Sequence, residues 1–292
     1  MKKCLVYGNC QAMALRSFLS KHPNFTSFYE VIEIKPVHLL TQGDVDRLEK
    51  TIAEIELFIH QPVSDNYKGI HQLSTNYIKS QLKSGCQTIS FPVAYFTAYN
   101  PEITYLKNKN NIVISKPFPF HDLNILKLYA KGKSIDRTIE EIAGEAFYSA
   151  EYLQENLSAT LRNLAAREKS LEVKISAFIQ ENFRIKKLFH TFNHPSAVVL
   201  EYILNYILDL LGIHREKDFF ELFRNSDVLA QTSFSIYPSA VKFLGLSFGS
   251  TLDYRIEKQV FTQREVVSSF FEFYDTHHQE ISDFIAHTSL RT

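Results

Sequence analysis

The sequence predicts an α/β fold: a parallel-sheet N-terminal part with Rossmann- or SGNH-like layering, and a mostly helical C-terminal part packed on it. Three observations predict it. Short apolar runs alternate with amphipathic helical stretches up to about residue 120. Each run stops at a turn former, as buried parallel strands do. Beyond that point the chain changes to charged stretches of helical periodicity.

Lys3–Tyr7 reads as the first strand, with Gly8-Asn9 as a tight turn. Gln11 to Lys21 has helical spacing, with Met13 or Ala14, Leu15, Phe18 and Leu19 on one side. Phe28–Ile34 is the second strand and Thr41–Ile55 an amphipathic helix. Ile55–Ile59 is the third strand, ending at His60-Gln61-Pro62. A helix at Ser74–Lys83 precedes a fourth strand, Thr88–Phe91, which stops at Pro92. A fifth, Ile112–Ser115, stops before Lys116-Pro117. Helices are expected over Asn124–Ala130, Ile135–Phe147, Ala150–Asn182, Ser196–Leu211 and Gln263–His287, with Gly212 ending the fourth of these. Thr138–Glu141 and Arg162–Lys174 read as solvated helix faces, and Lys187–Phe192 as a short apolar run. The expected division is 1–120 and 121–292, forming one compact unit.

Hydrophobic residues make up 45% and charged residues 22%, a soluble globular composition that excludes a disordered chain. With 24 Phe, 15 Tyr and no Trp, those rings supply much of the large core volume. Basic and acidic residues balance at 32 each, which argues against a nucleic-acid partner but allows a local basic pocket. Cys4, Cys10 and Cys86 have neither a disulfide framework nor zinc spacing, and no metal site is expected. MKKCLVYGNCQ lacks the apolar core of a signal peptide. The greasiest segment, Ala197–Leu211, is interrupted by Glu201, Asn205 and Asp209, so no membrane insertion is expected. The expected location is cytoplasmic, with reduced thiols.

Ligands of parallel sheets bind beyond the carboxyl ends of the strands. Those ends are here Gly8-Asn9-Cys10, His60-Gln61-Pro62 and Phe91-Pro92. Cys10 stands between a strand and a helix, where unpaired N–H groups favour negative charge and can lower a thiol pKa. The same groups can stabilise an oxyanion. The alternative is a small residue filling a tight junction. His194, in Asn193-His194-Pro195-Ser196, is the candidate base for such a thiol, or else a cap of the following helix. Asp65 and Asp122 are candidates to orient it. His121-Asp122 otherwise reads as a helix start. The Gln61 amide can donate to a carbonyl oxygen or hold a sugar hydroxyl, or is an ordinary loop glutamine; the Gln11 backbone N–H lies next to the thiol, and Asn9 tolerates the turn. Ser64-Asp65-Asn66-Tyr67 is a polar loop suited to sugar hydroxyls, with Tyr67 as a stacking face, or a plain exposed turn. Tyr95 and Tyr99 invite the same two readings, with one of them expected in the core. His277-His278 lacks helical ligand spacing, and there is no glycine-rich nucleotide fingerprint.

Tyr7-Gly8-Asn9-Cys10-Gln11-Ala12 resembles the N-terminal signature of WcbI-type polysaccharide-biosynthesis proteins. The resemblance continues at Phe58–Tyr67, at Phe91-Pro92 with Tyr99-Asn100-Pro101-Glu102, and at Thr191–Ser196. It implies a bacterial coenzyme A-linked acyltransferase, an acetyltransferase acting on a sugar hydroxyl of a capsule or surface polysaccharide. Cys10 is then the nucleophile and His194 the base, with Gln11 and Gln61 assisting at the oxyanion. In a variant, Cys10 only positions the thioester and His194 activates the hydroxyl directly. Asn9, Lys116, Arg184, Lys187 and Ser196 are the residues assigned to coenzyme A, and Ser64, Asp65 and Tyr67 those assigned to the acceptor. The partner is a carbohydrate, nucleotide-sugar or polysaccharide acceptor, and a homo-oligomer is left open. The strand–Gly-Asn-Cys–helix layout is also similar to the first block of SGNH hydrolases, although their later blocks are missing. The rivals are therefore a Cys-dependent esterase and a non-catalytic carbohydrate- or coenzyme A-binding subunit.

Overall fold

The computed structural model describes the chain apart from residues 109, 111, 220, 222–227, 250–252 and 288–292. The described residues group into two units that interleave in sequence. The first takes 1–95, 161–182 and 193–229; the second takes 96–160, 183–192 and 230–292.

The first unit holds a four-stranded parallel sheet of β1 (Lys2–Tyr7), β2 (Tyr29–Ile32), β3 (Leu57–His60) and β4 (Gln87–Ser90). Its order is β2-β1-β3-β4. Helices α1 (Cys10–Leu19) and α2 (Pro23–Thr26) join β1 to β2, α3 (Val45–Glu54) joins β2 to β3, and α4 (Thr75–Gln81) joins β3 to β4. Alternation along the strands sends Leu5, Tyr7 and Phe58 to one face, where Leu48 and Ile52 of α3 and Ile78 of α4 cover them. Burying each such side chain contributes about 1.5–3 kcal/mol. Cys4, Val6, Leu57 and Ile59 on the other face are equally buried, which is why the strands read as unbroken apolar runs. Helix α1 buries Ala14, Leu15, Phe18 and Leu19 and packs on β1 and on the helix Ala197–Leu210.

Tyr7, His60 and Ser90 lie side by side at the strand ends. The ladder continues one step further: Gln61 N–H donates to Tyr7 O and Phe91 N–H to His60 O, each at 2.9 Å. From β1 the chain moves outward to β2, whereas β3 lies on the opposite side. The crevice between the ends of β1 and β3 is thus the point where strand order reverses, the place such sheets use for ligands.

The second unit is mainly helical. It contains α5 (Leu123–Ala130), α6 (Ile135–Ile142), the greater part of α7 (Ala150–Glu168) and the helices Pro238–Leu244, Gln263–Thr276 and His278–His287. Asp122 caps α5, accepting from Asn124 N–H at 2.8 Å and Ile125 N–H at 3.1 Å, as its place at a helix start predicts. Tyr237 Oη donates to its other oxygen at 2.6 Å. Burial pushes the Asp122 carboxyl up, and it does the same to Glu102, which accepts from Tyr148 Oη at 2.7 Å.

The α/β class, with its N-terminal parallel sheet and largely helical C-terminal part, is the one the sequence predicts. Three elements differ. The expected fifth strand does not join the parallel sheet; Val113–Ile114 pairs antiparallel with Leu106–Lys107. The expected helix Ala150–Asn182 is broken into α7 and α8 (Ser176–Asn182). Between them the backbone leaves helical bonding, and Val173 N–H donates to Ser90 O at 3.0 Å. Glu168 then accepts from Ile175 N–H at 2.7 Å and Ser176 N–H at 3.2 Å, supplying the start of α8. The expected last helix breaks at His277 (φ −122°, ψ 36°), where the Thr276 hydroxyl donates back to the Glu272 and Phe273 carbonyls.

Candidate active site

Gly8 opens the turn at the end of β1 with φ +155°. A Cβ there would stand 2.4 Å from Gln61 Oε1 and 2.9 Å from the Ala12 Cβ, so only glycine allows this approach. Asn9 caps α1: its Oδ1 accepts from Gln11 N–H at 2.9 Å. The Asn9 N–H donates to Gln61 Oε1, also at 2.9 Å.

Gln11 and Gln61, each 1% exposed, form the frame of the site. Gln11 Nε2 donates to the carbonyl oxygens of Ala94 and Asn193, both at 2.9 Å. Its Oε1 accepts from Ala94 N–H at 2.9 Å and from Gln61 Nε2 at 3.1 Å. Gln61 Nε2 also reaches Pro92 O at 3.4 Å. Both side-chain amides are committed to the backbone and to each other, so the Gln61 amide is not the free donor that its place at a strand end suggests. The network holds the ends of β1, β3 and β4 and the Asn193 turn in one fixed arrangement.

Cys10 is half-buried. Burial pushes its thiol up; its own N–H and that of Gln11 favour the thiolate but do not outweigh the loss of solvent. The sequence expectation of a lowered thiol pKa is thereby corrected. The helix-start N–H groups are in place, but the one on Gln11 already serves Asn9 Oδ1. Tyr95 is hydrogen-bonded to the Asn193 side chain. Its phenol is pushed up chiefly by burial, against the nearby Arg167 cation, whose guanidinium lies 5.2 Å above the ring centroid.

His194 is half-buried in the short strand His194–Pro195 that leads into the helix Ala197–Leu210, here α9. The carbonyl gripped by Gln11 belongs to Asn193, one residue before it. Gln11 itself follows Cys10. One side chain therefore ties the backbone at the thiol to the backbone at the imidazole. Ser196 occupies the cap position of α9, 6% exposed, and its hydroxyl has no partner among the described residues.

An open cavity of 780 Å³ lies over the strand ends. Gly8, Asn9, Gln61, Ser64, Tyr67, Pro92, Tyr95 and Arg167 are among the residues that line it. Cys10, Asp65, His194 and Ser196 are not among them. Asp65 accepts from Asn76 Nδ2 at 2.8 Å. Tyr95 is the cavity tyrosine. Tyr99 is the core one, 1% exposed, with its Oη donating to Phe183 O at 2.5 Å. His60, at the end of β3, is 2% exposed and stacked on Phe58. Burial and then Lys79 hold it neutral, its pKa pulled down to about 4.

Lys116, Arg184 and Lys187 belong to the second unit. Lys116 is exposed, Arg184 Nε donates to Leu244 O at 3.0 Å, and Lys187 Nζ donates to Ser233 Oγ at 3.1 Å. Burial and then Arg255 pull Lys187 down to about 8. Asp122 is in that unit as well, engaged as the α5 cap. Sequence reasoning missed Arg167, which sits in a stretch that reads as a solvated helix face, and Asn193 as a partner of Gln11. No spacing in the sequence signals either contact.

Among the described residues no His, Cys, Asp or Glu cluster is arranged to hold a metal, and no helix is long and apolar enough to cross a membrane. No curated protein matches the chain. A solved structure of WcbI, described as a novel polysaccharide biosynthesis enzyme, has the same fold: TM-score 0.83 and 23% identity, over 99% of this chain and 96% of that one. It is described as the native protein without a disulfide bond between coenzyme A and one of its cysteines. The family described as polysaccharide biosynthesis enzyme WcbI matches residues 3–216, which include the Gly8–Gln11 turn, Gln61 and the Asn193–Ser196 element. The chain belongs to the WcbI family of polysaccharide biosynthesis enzymes.

Proposed function

We propose that this enzyme transfers an acyl group, acetyl in the simplest case, from a coenzyme A thioester to a sugar hydroxyl, using Cys10 as nucleophile and His194 as base. The observation that carries the reading is the Gln11 bridge. It follows the thiol in the chain and grips the carbonyl next to the imidazole, so the two groups with the right chemistry share one rigid support. The description of the solved WcbI structure, which names coenzyme A together with a cysteine, supports coenzyme A as the donor.

A thiol with a raised pKa is mostly protonated at neutral pH. Attack then needs a base that removes the proton as the bond forms, which is the role given to His194. The Cys10 sulfur bonds to the acyl carbon, the bond to the coenzyme A sulfur breaks, and His194 passes its proton to that leaving thiolate. In the second half, His194 takes the proton of the sugar hydroxyl, the hydroxyl oxygen bonds to the acyl carbon, and the Cys10 sulfur leaves and regains a proton. The Cys10 N–H, at the start of α1, is the donor proposed for the oxyanion of both steps. Gln11 and Gln61 act here as positioning residues. Ser64 and Tyr67 at the cavity wall are the proposed contacts for the acceptor.

The test is release of free coenzyme A from acetyl-coenzyme A, with and without a panel of carbohydrate acceptors. Acceptor-dependent release that vanishes in Cys10→Ala supports transfer. Release indifferent to acceptor indicates hydrolysis, and activity retained in Cys10→Ala removes the nucleophile.

A further inference from the structure

We propose that Arg167 seats a phosphoryl group of the ligand that fills the cavity over the strand ends. The proposal rests on the acyl-transfer reading for the identity of that ligand, but not for the existence of the anion seat.

Arg167 is the one Lys, Arg, Asp, Glu or His residue among those lining the cavity, so the pocket carries a single uncompensated positive charge. Arg167 is exposed, and its guanidinium carbon lies over the Tyr95 ring, 5.2 Å from the centroid. No carboxylate is within ion-pair distance of it among the described residues. Acidic side chains of the same stretch are committed to backbone: Glu168 to the N–H groups of Ile175 and Ser176, and Glu172 to that of Ser90 at 2.7 Å. Arg167 also stands in the last turn of α7, where the helix dipole favours a cation.

A planar fork of N–H donors set over an aromatic ring, with no carboxylate paired to it among the described residues, matches phosphate oxygens well. Tyr95, whose ring lies under Arg167, is hydrogen-bonded to the Asn193 side chain. The anion would thus be seated beside the tyrosine that bonds Asn193, the residue before His194. A phosphoryl group reaches this pocket from two sources, the pyrophosphate of coenzyme A or the phosphate of an activated sugar.

The experiment is calorimetric titration of the full chain and of Arg167→Gln and Arg167→Lys with four probes: coenzyme A, pantetheine, uridine diphosphate and inorganic pyrophosphate. Thermal unfolding checks that the variants stay folded. In the wild type, at least one phosphorylated probe is expected to bind, and to lose about tenfold or more in affinity in Arg167→Gln, the size of one charge-assisted contact. Arg167→Lys recovers part of that loss. Selective loss of coenzyme A, with pantetheine unchanged, assigns the seat to the donor. Selective loss of uridine diphosphate assigns it to the acceptor. Loss of pyrophosphate or uridine diphosphate by a protein that never binds coenzyme A keeps the seat and sinks the donor reading. The proposal is overturned if all phosphorylated probes bind Arg167→Gln as they bind the wild type, if pantetheine weakens in parallel with coenzyme A, or if no phosphorylated probe binds the wild type.

Discussion

The side-chain amide of Gln61 donates to Oε1 of Gln11 at 3.1 Å, and through this pair the first residue beyond β3 is locked to the first turn of α1. The pair is buried, and its remaining bonds reach Asn9, Pro92, Ala94 and Asn193. Gln11→Leu keeps much of the volume but removes the bonds to the Ala94 N–H and to the Ala94 and Asn193 carbonyls. Each unsatisfied buried group costs about 1–3 kcal/mol. A loss of several kcal/mol in urea unfolding is expected, whereas a surface residue such as Gln81 should tolerate the same change.

Gly8→Ala tests the turn. The added methyl would overlap Gln61 Oε1, so the Gln61 side chain must leave its bond to Asn9 N–H. Destabilisation of about 2 kcal/mol or more is expected from strain and the broken bond together. Pairing Gly8→Ala with Gln61→Ala should recover part of it, because the obstructing atom is gone. A double variant that loses the simple sum would contradict the account.

The Cys10 thiol is pushed up by burial, so its reaction with iodoacetamide should rise with pH along a curve lying above that of an exposed cysteine. Peptide mass spectrometry resolves Cys10 from Cys4 and Cys86, which burial also pushes up. A curve for Cys10 shifted to lower pH would restore the activated-thiolate picture and remove the need for a base in the first half-reaction.

His60 gives a pH-dependent stability of defined sign. Its folded-state pKa is pulled down to about 4, against about 6.5 for an ordinary histidine. The unfolded chain therefore takes the proton first as pH falls. The contribution is fully present above pH 6.5 and is lost between about 6.5 and 4, on the order of 2–3 kcal/mol. In His60→Phe, which can still stack on Phe58, the difference in unfolding free energy between neutral and acid pH should shrink by that amount. An unchanged difference would show that other groups carry the acid limb.

Much of this was legible from residue pattern. Buried strands such as Leu57–His60 betray themselves by unbroken apolar runs, and the turn at Gly8-Asn9 by its residue types. The Cys10, Gln61 and His194 elements stood out because polar residues collect where the strands end. What pattern could not show is contact between residues distant in sequence. Gln11 has the same sequence appearance whether its amide faces solvent or grips Asn193. Arg167 and Arg162 are both exposed on one helix, and periodicity cannot tell which of them borders a cavity. The thiol pKa was misjudged for a related reason: helix-start N–H groups follow from local sequence, but burial depends on the whole surround. Ile112–Ser115 reads as a strand of the parallel sheet because a short apolar run has no mark of its pairing partner; Val113–Ile114 within it pairs with Leu106–Lys107.

The central claim, that Cys10 carries the acyl group, is tested most directly by trapping. The enzyme is mixed with acetyl-coenzyme A without acceptor, quenched in acid and digested, and the three cysteine peptides are compared by mass spectrometry. The account predicts an acetyl group on the Cys10 peptide, absent from those of Cys4 and Cys86, formed more slowly in His194→Gln and discharged when a productive sugar acceptor is added. An unmodified Cys10 at every time point, with acceptor acetylation unimpaired in Cys10→Ala, would contradict it.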